Sequence, residues 1–207
     1  MAQMKETILR VAVDLFFEKG YFATSISGIA AGCGIQKASI YYHYSNKEAI
    51  LFAIMDRTMQ ELVDHLAQSQ EGVVDVEARV RAAVRSHVEF HLRHQKETFI
   101  ASSELRGLSE PHYRGIVAQR DTYERFLQEL ITAGIDTGCF AQSDVKILSY
   151  AVLTLCTAGA SWFNPEGRLA IDAIAGIYED FILSGLKQGR SMTVPDPEAD
   201  DNVTYLA

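Results

Sequence analysis

The chain has 207 residues, 48% of them hydrophobic and 22% charged, with a formal net charge of −8 at neutral pH. That length supports a sizeable core in one large or two small domains and excludes a disordered or fibrous chain, while the acidity, taken whole, argues against a nucleic-acid partner. Three cysteines, Cys33, Cys139 and Cys156, are an odd number without paired spacing, suggesting neither a disulfide framework nor a zinc knuckle and fitting a reducing compartment.

Prolines occur only at Pro111, Pro165, Pro195 and Pro197, so no such breaker interrupts the first 110 residues. Ile8, Ala12, Leu15 and Phe16 recur at helical spacing and predict a helix over 5–19 with Gly20 as its cap. Thr24 or Ser25 offers an N-cap for a short helix over 26–33, and Gly34 separates it from a second over 36–44. Ser45 then opens a long amphipathic helix over 46–68, with Ile50, Ile54, Leu62 and Leu66 on its apolar face, linking two halves of the chain. Past a loop at Gly72, helices are predicted over 76–94, over 97–105 ending near Gly107, and over 110–136 with Pro111 in the first turn.

Segments 144–163 and 168–187 form a last pair around the turn Asn164-Pro165-Glu166-Gly167. Their apolar residues spread widely around each helix: Ile147, Leu148, Ala151, Val152 and Leu155 on one, Ile171, Ile174, Ile177, Tyr178, Phe181 and Ile182 on the other. Such helices bury two sides, one on the core and one on a second copy of the chain, with Ala151, Ala158, Gly159 and Ala160 allowing close approach. Residues 191–207 hold Asp196, Glu198, Asp200 and Asp201, two prolines and no base, the composition of a disordered acidic tail. The expected architecture is all-α: a three-helix head over 1–47, a helical body over 48–190 and the tail. No signal-peptide run and no stretch of about 18 uninterrupted apolar residues is present, so a cytoplasmic protein away from the membrane is expected.

The segment from Thr24 to Ile50 holds the chemistry. A helix-turn-helix needs a small residue where its helices cross, a glycine where the chain reverses and apolar residues inside. Ala30, Gly34 and the trio Ile29, Ile35 and Ile40 supply these. The second helix must present polar or aromatic groups outward, and Lys37, Ser39, Tyr41, Tyr42 and His43 can do so, with Tyr44 pointing inward. Thr24, Ser25 and Lys47 are placed to hold phosphates by hydroxyls, a helix N-terminus and charge.

Gly20-Tyr21, Thr24-Ser25-Ile26, Ile29-Ala30, Gly34-Ile35 and Ile40-Tyr41-Tyr42-His43-Tyr44 followed by Lys47-Glu48 resemble the TetR/AcrR family of transcriptional regulators over roughly residues 5–52. The resemblance implies an all-helical homodimer whose two heads enter successive major grooves of a palindromic double-stranded operator, with a divergent carboxy-terminal domain for an inducer. It implies that Lys37 and Ser39 approach base edges, that Tyr41, Tyr42, Thr24, Ser25 and Lys47 hold the backbone, and that His43 does either. Release of a repressor by a small-molecule effector is the leading expectation.

For the effector, Trp162-Phe163-Asn164-Pro165-Glu166-Gly167-Arg168-Leu169 resembles the Trp-Tyr-x-Pro-x-Gly-Arg-Leu turn of TetR members that answer to acyl-CoA thioesters of fatty-acid or steroid breakdown. Phe90, Phe99, Tyr123, Phe126, Leu127 and Trp162 can line an apolar cavity, with His91 as a donor and Arg106, Arg120, Arg125 or Arg168 at its mouth. Arg106 is the first of these to test. His87, His91 and His94 fall at i, i+4 and i+7, a spacing that can hold a transition metal, and Glu97 and Glu104 can extend it. The alternatives are therefore a metal-responsive regulator and a helical ligand-binding dimer without DNA binding. No Gly-x-Ser-x-Gly elbow, Gly-rich phosphate loop or His-Glu-x-x-His pair is present, so neither an enzyme nor a cofactor beyond the effector is expected.

The charge also divides. Residues 1–47 hold five Lys and Arg against three Asp and Glu, a net +2. Of the 19 bases and 27 acids overall, fourteen and twenty-four remain for 48–207, a net −10. A modestly basic head on an acidic body meets a duplex through the head alone.

Overall fold

Helix α1 runs over Ala2–Lys19 and starts before Lys5 because nothing ahead of that residue breaks it. It ends where Gly20, at φ 81°, caps it through an N–H bond to Phe16 O. Ser25 caps α2 (Ile26–Gly32), its hydroxyl accepting from Gly28 N–H at 3.0 Å. Gly34 turns the chain at φ 67°, a left-handed conformation natural to glycine. α3 (Lys37–His43) follows. The N-cap of α4 (Lys47–Ser69) is Asn46 rather than Ser45: its extended backbone lets Oδ1 accept from Ala49 N–H at 2.7 Å.

α5 (Val76–Arg93) is capped by Asp75. The segment expected as one helix over 97–105 divides into α6 (Gln95–Ser103) and a short 3₁₀ turn (Leu105–Gly107), since the chain departs from the α path at Glu104. α7 spans Glu110–Asp136, with Pro111 harmless in its first turn. α8 (Val145–Trp162) is capped by Asp144, and α9 (Ile171–Gln188) starts later than 168. Gly167 N–H bonds Asn164 O and Glu166 N–H bonds Asn164 Oδ1, so a turn occupies the residues before it. The structure, a computed structural model, describes residues 2–188, all-helical and without a strand among them. The tail expected over 191–207 lies outside this range.

Two apolar clusters organise the chain. The first joins Ile8, Ala12 and Phe16 of α1, Ile29 of α2 and Ile40 of α3 to Ile50, Leu51, Ile54 and Met55 of α4, and adds Ile100 of α6 and Ile116 of α7. The head core therefore continues past residue 47 and is completed by the body. The second cluster is built on α5, which packs against α9, α8, α4 and α7. Arg81 of α5 reaches the buried Glu179 of α9 at 3.1 Å and Asp180 at 2.9 Å. Cys156 is fully buried there, and burial pushes its thiol up to about 12.

The inner faces of α8 and α9, including Val152, Ile174 and Ile182, are buried as expected. Their outer faces leave Ile147, Leu155, Ile177 and Phe181 exposed, Phe181 at 69%. α8 is long and apolar enough to cross a membrane by length and composition. One face of it packs on α5 and α7.

Candidate nucleic-acid interface and internal cavity

The helix-turn-helix is held from inside. Ile29 and Ile40 are fully buried, Ala30 sits at the crossing, and Ile35 and Tyr44 pack half-buried beside them. This fixes α3 so that Lys37, Ser39, Tyr41 and Tyr42 project outward, Tyr41 and Tyr42 at 48% and 73% exposure, with His43 half-buried. Lys37 Nζ lies 5.9 Å from the Tyr41 ring, and Tyr42 and His43 meet edge to face. Ser25 is exposed at the start of α2.

Two of the expected phosphate holders face the protein instead. Thr24 is buried, and its hydroxyl donates to Gly20 O at 2.9 Å and Leu15 O at 3.2 Å. Lys47 donates from Nζ to Tyr21 O and Thr24 O, both at 2.7 Å, and lies 4.2 Å from the Tyr21 ring centroid. Burial lowers its pKa, with Glu104 opposing. The end of α1 and the loop that follows leave the carbonyls of Leu15, Gly20, Tyr21 and Thr24 in need of donors, and these two side chains supply them.

A cavity of about 480 Å³ opens among α4 to α8. Met59, Leu62 and Leu153 give it apolar walls, and Thr98, Ser102, Arg120, Glu124 and Thr157 add polar ones. Of the residues expected to bind a ligand, His91 and Tyr123 line it. Phe126 and Leu127 line only a small void beside it. Phe90 is buried in the core and stacks on His94 at 4.4 Å. Phe99 is on the surface against Phe17, Trp162 is 55% exposed, and Arg106 is exposed on the 3₁₀ turn. The three aromatics lie outside the lining because a helix has more apolar positions than one cavity can use, and Arg106 because the 3₁₀ turn carries it to the surface. Arg125 and Arg168 are also exposed and outside the lining, so Arg120 alone of the four arginines is at the cavity.

The imidazoles belong to a polar network. His87 bridges Tyr123 Oη at 2.8 Å and Thr157 Oγ1 at 2.9 Å, using both ring nitrogens. His91 Nδ1 meets Thr98 Oγ1 at 2.9 Å. Burial lowers the pKa of His87 and takes His91 down to about 4, with the charge of Arg120 contributing, so both rings are neutral at pH 7. No group of three or more His, Cys, Asp or Glu side chains suited to a metal ion forms among the described residues. The i, i+4, i+7 spacing instead serves hydrogen bonds and a ring stack.

α6 belongs to both regions. It offers Thr98, Ala101 and Ser102 to the cavity, places Ile100 in the head core, and sends Lys96 to Asp14 of α1 at 2.5 Å. Just beyond it, Glu104 Oε1 accepts Tyr21 N–H at 3.2 Å. Gly107 lies so close to Tyr21 that an added Cβ would stand 2.7 Å from the ring. A second tie joins α4 to α7: Glu48 Oε1 accepts Ser109 N–H at 2.8 Å and lies 2.7 Å from His112 Nδ1, and hydrogen bonds from these two residues hold the Glu48 carboxyl at about 2.

An exposed helix on a buried helix-turn-helix, joined through one short helix to a ligand-sized cavity, defines a ligand-responsive DNA-binding regulator. The family models agree. That of the bacterial regulatory proteins of the tetR family matches residues 8–54, and that of the tetracyclin repressor-like C-terminal domain matches residues 73–186. The chain belongs to the TetR family of transcriptional regulators. It is 25% identical over 189 residues to the HTH-type transcriptional repressor KstR2 of Mycobacterium tuberculosis, covering 88% of this chain and 92% of that one. The TetR family regulator PfmR from Thermus thermophilus superposes with a TM-score of 0.80 at 31% identity, covering 87% and 99%. AibR in complex with isovaleryl coenzyme A and operator DNA gives 0.79 at 30% identity, covering 86% and 97%.

Proposed function

We propose that the protein is a cytoplasmic homodimeric repressor, acting by binding rather than catalysis, that leaves a palindromic operator when an acyl-CoA thioester enters the cavity. The observation that carries this reading is the double membership of α6, which lines the cavity with one face and grips α1 with another. Lys37, Ser39, Tyr41 and Tyr42 meet the duplex from α3, with His43 and Ser25 at its margin. The exposed Ile147, Leu155, Ile177 and Phe181 make the contact between copies, through helices 145–162 and 171–188.

Two recognition helices must stand about 34–36 Å apart to read successive major grooves. A ligand that binds better to a dimer with another spacing weakens operator binding by that difference in affinity, and no more. The thioester class is supported by the turn from Trp162 to Leu169 and by the isovaleryl coenzyme A bound to AibR. Operator affinity titrated against short, long and ring-bearing acyl-CoA esters tests the reading. At least one ester is expected to weaken binding about ten-fold or more, in the usual range of coupling. Unchanged affinity across the panel rejects the thioester.

A further inference from the structure

Arg120 stands on the wall of the cavity without a carboxylate partner among the described residues. Its single hydrogen bond to those residues runs from Nη2 to Ala101 O of α6 at 2.7 Å. Glu124, one helical turn away at i+4, the spacing of an ordinary ion pair, lines the same cavity but accepts from Gln128 Nε2 at 2.6 Å and forms no ion pair with Arg120. His91 of α5 lines the same cavity, and its remaining nitrogen, Nε2, has no hydrogen-bond partner among the described residues. Arg120 is half-buried; withdrawing a cation from water without a counter-ion is unfavourable, and a planar guanidinium with free N–H groups matches a carboxylate in two parallel bonds. The other walls, Met59, Leu62 and Leu153, suit hydrocarbon.

We infer that the effector carries a carboxylate that pairs with Arg120, its hydrocarbon lying against Met59, Leu62 and Leu153. This rests on the reading of the cavity as the effector site and narrows the chemistry that it takes. The carboxylate competes with Ala101 O for the guanidinium, so its arrival loosens the bond between α7 and α6, the helix that grips α1. Two sources share this chemistry: a free carboxylic acid, and an acyl thioester whose acyl chain ends in a free carboxylate.

Calorimetric titration of the full chain with octanoate, methyl octanoate, octanoyl-CoA and the mono-CoA thioester of octanedioic acid separates them. At least one carboxylate-bearing probe is expected to bind about ten-fold or more tightly than its uncarboxylated counterpart, the value of a desolvated charge-assisted bond. Arg120→Gln should abolish that preference, bringing the two members of each pair to the same affinity. Equal binding within both pairs, a preference that survives Arg120→Gln, or no binding by any probe overturns the inference. If Arg120→Gln does not fold, Arg120→Lys replaces it: losing the planar fork should reduce the preference several-fold, and an unchanged preference overturns the inference. Octanoyl-CoA that binds and releases the operator with no gain from a terminal carboxylate leaves the thioester reading standing and removes this one. Octanoate that binds through Arg120 while neither thioester does supports the carboxylate and removes the thioester.

Discussion

Replacing Lys47 by methionine separates a structural role from a DNA-contacting one. The substitution keeps most of the side-chain stem and removes two charge-assisted hydrogen bonds, to Tyr21 O and Thr24 O, together with the contact to the Tyr21 ring. Such bonds contribute about 1.5–3 kcal/mol each, and water can reach this half-buried site to replace part of them. A net loss of about 2–4 kcal/mol follows, or roughly 5–15 °C in Tm for a chain of this size. Because the head core is completed by Ile100 and Ile116 of the body, the loss should appear in one cooperative transition. Fluorescence polarisation with operator and random duplex, well below the melting point, should then show an unchanged slope of log affinity against log salt. A lysine neutralising a phosphate would lower that slope by about 0.9 per protomer. Unaltered stability together with a slope reduced by that amount would refute the structural role and return Lys47 to the phosphate backbone.

Lys37→Ala should behave differently, leaving stability within about 0.5 kcal/mol of wild type, as exposed positions do, while lowering discrimination at one operator position by about 1–3 kcal/mol, read by competition among single-base variants. Equal losses on operator and random DNA would contradict a base contact. Folded His91 binds its proton only near pH 4, whereas an unfolded histidine does so near 6.5. The unfolded state therefore holds more protons between those values, and stability falls as pH drops through that window. From pH 7 to pH 5 this single group removes about 2 kcal/mol. Urea titrations of His91→Gln should show a shallower pH dependence by that amount, and identical curves would argue against a neutral buried ring. Phe181→Glu places a charge on the exposed apolar face of α8 and α9, and sedimentation should find monomers that keep their helical signal; an intact dimer would move the interface elsewhere.

How much was legible varies with the range over which each feature is determined. The helix count, the turn at Gly34 and the outward set on α3 are local: periodicity, a capping residue and a left-handed glycine are written within a few neighbouring positions. Boundaries moved where two local signals competed, as Asn46 displaced Ser45 at the cap of α4 and the chain broke at Glu104. The cavity was poorly legible, because Phe90, Phe99 and Trp162 carry the same apolar signal whether they face a void, the core or solvent. Arg120 could be named only as one of four arginines.

The sequence by itself determined an all-helical chain with a modestly basic helix-turn-helix head on an acidic body, since composition, charge and spacing need no knowledge of distant neighbours. Tertiary structure alone decided what each polar group does. Lys47 and Thr24 became locks because folding brings the carbonyls of Leu15, Gly20, Tyr21 and Thr24 to them. His87 was drawn into a network with Tyr123 and Thr157 for the same reason. The link between cavity and head was decided there too, since α6 touches both only after α1 and α7 have packed around it. Hydrogen-bond demand and burial are settled by the whole chain, and no local window contains them.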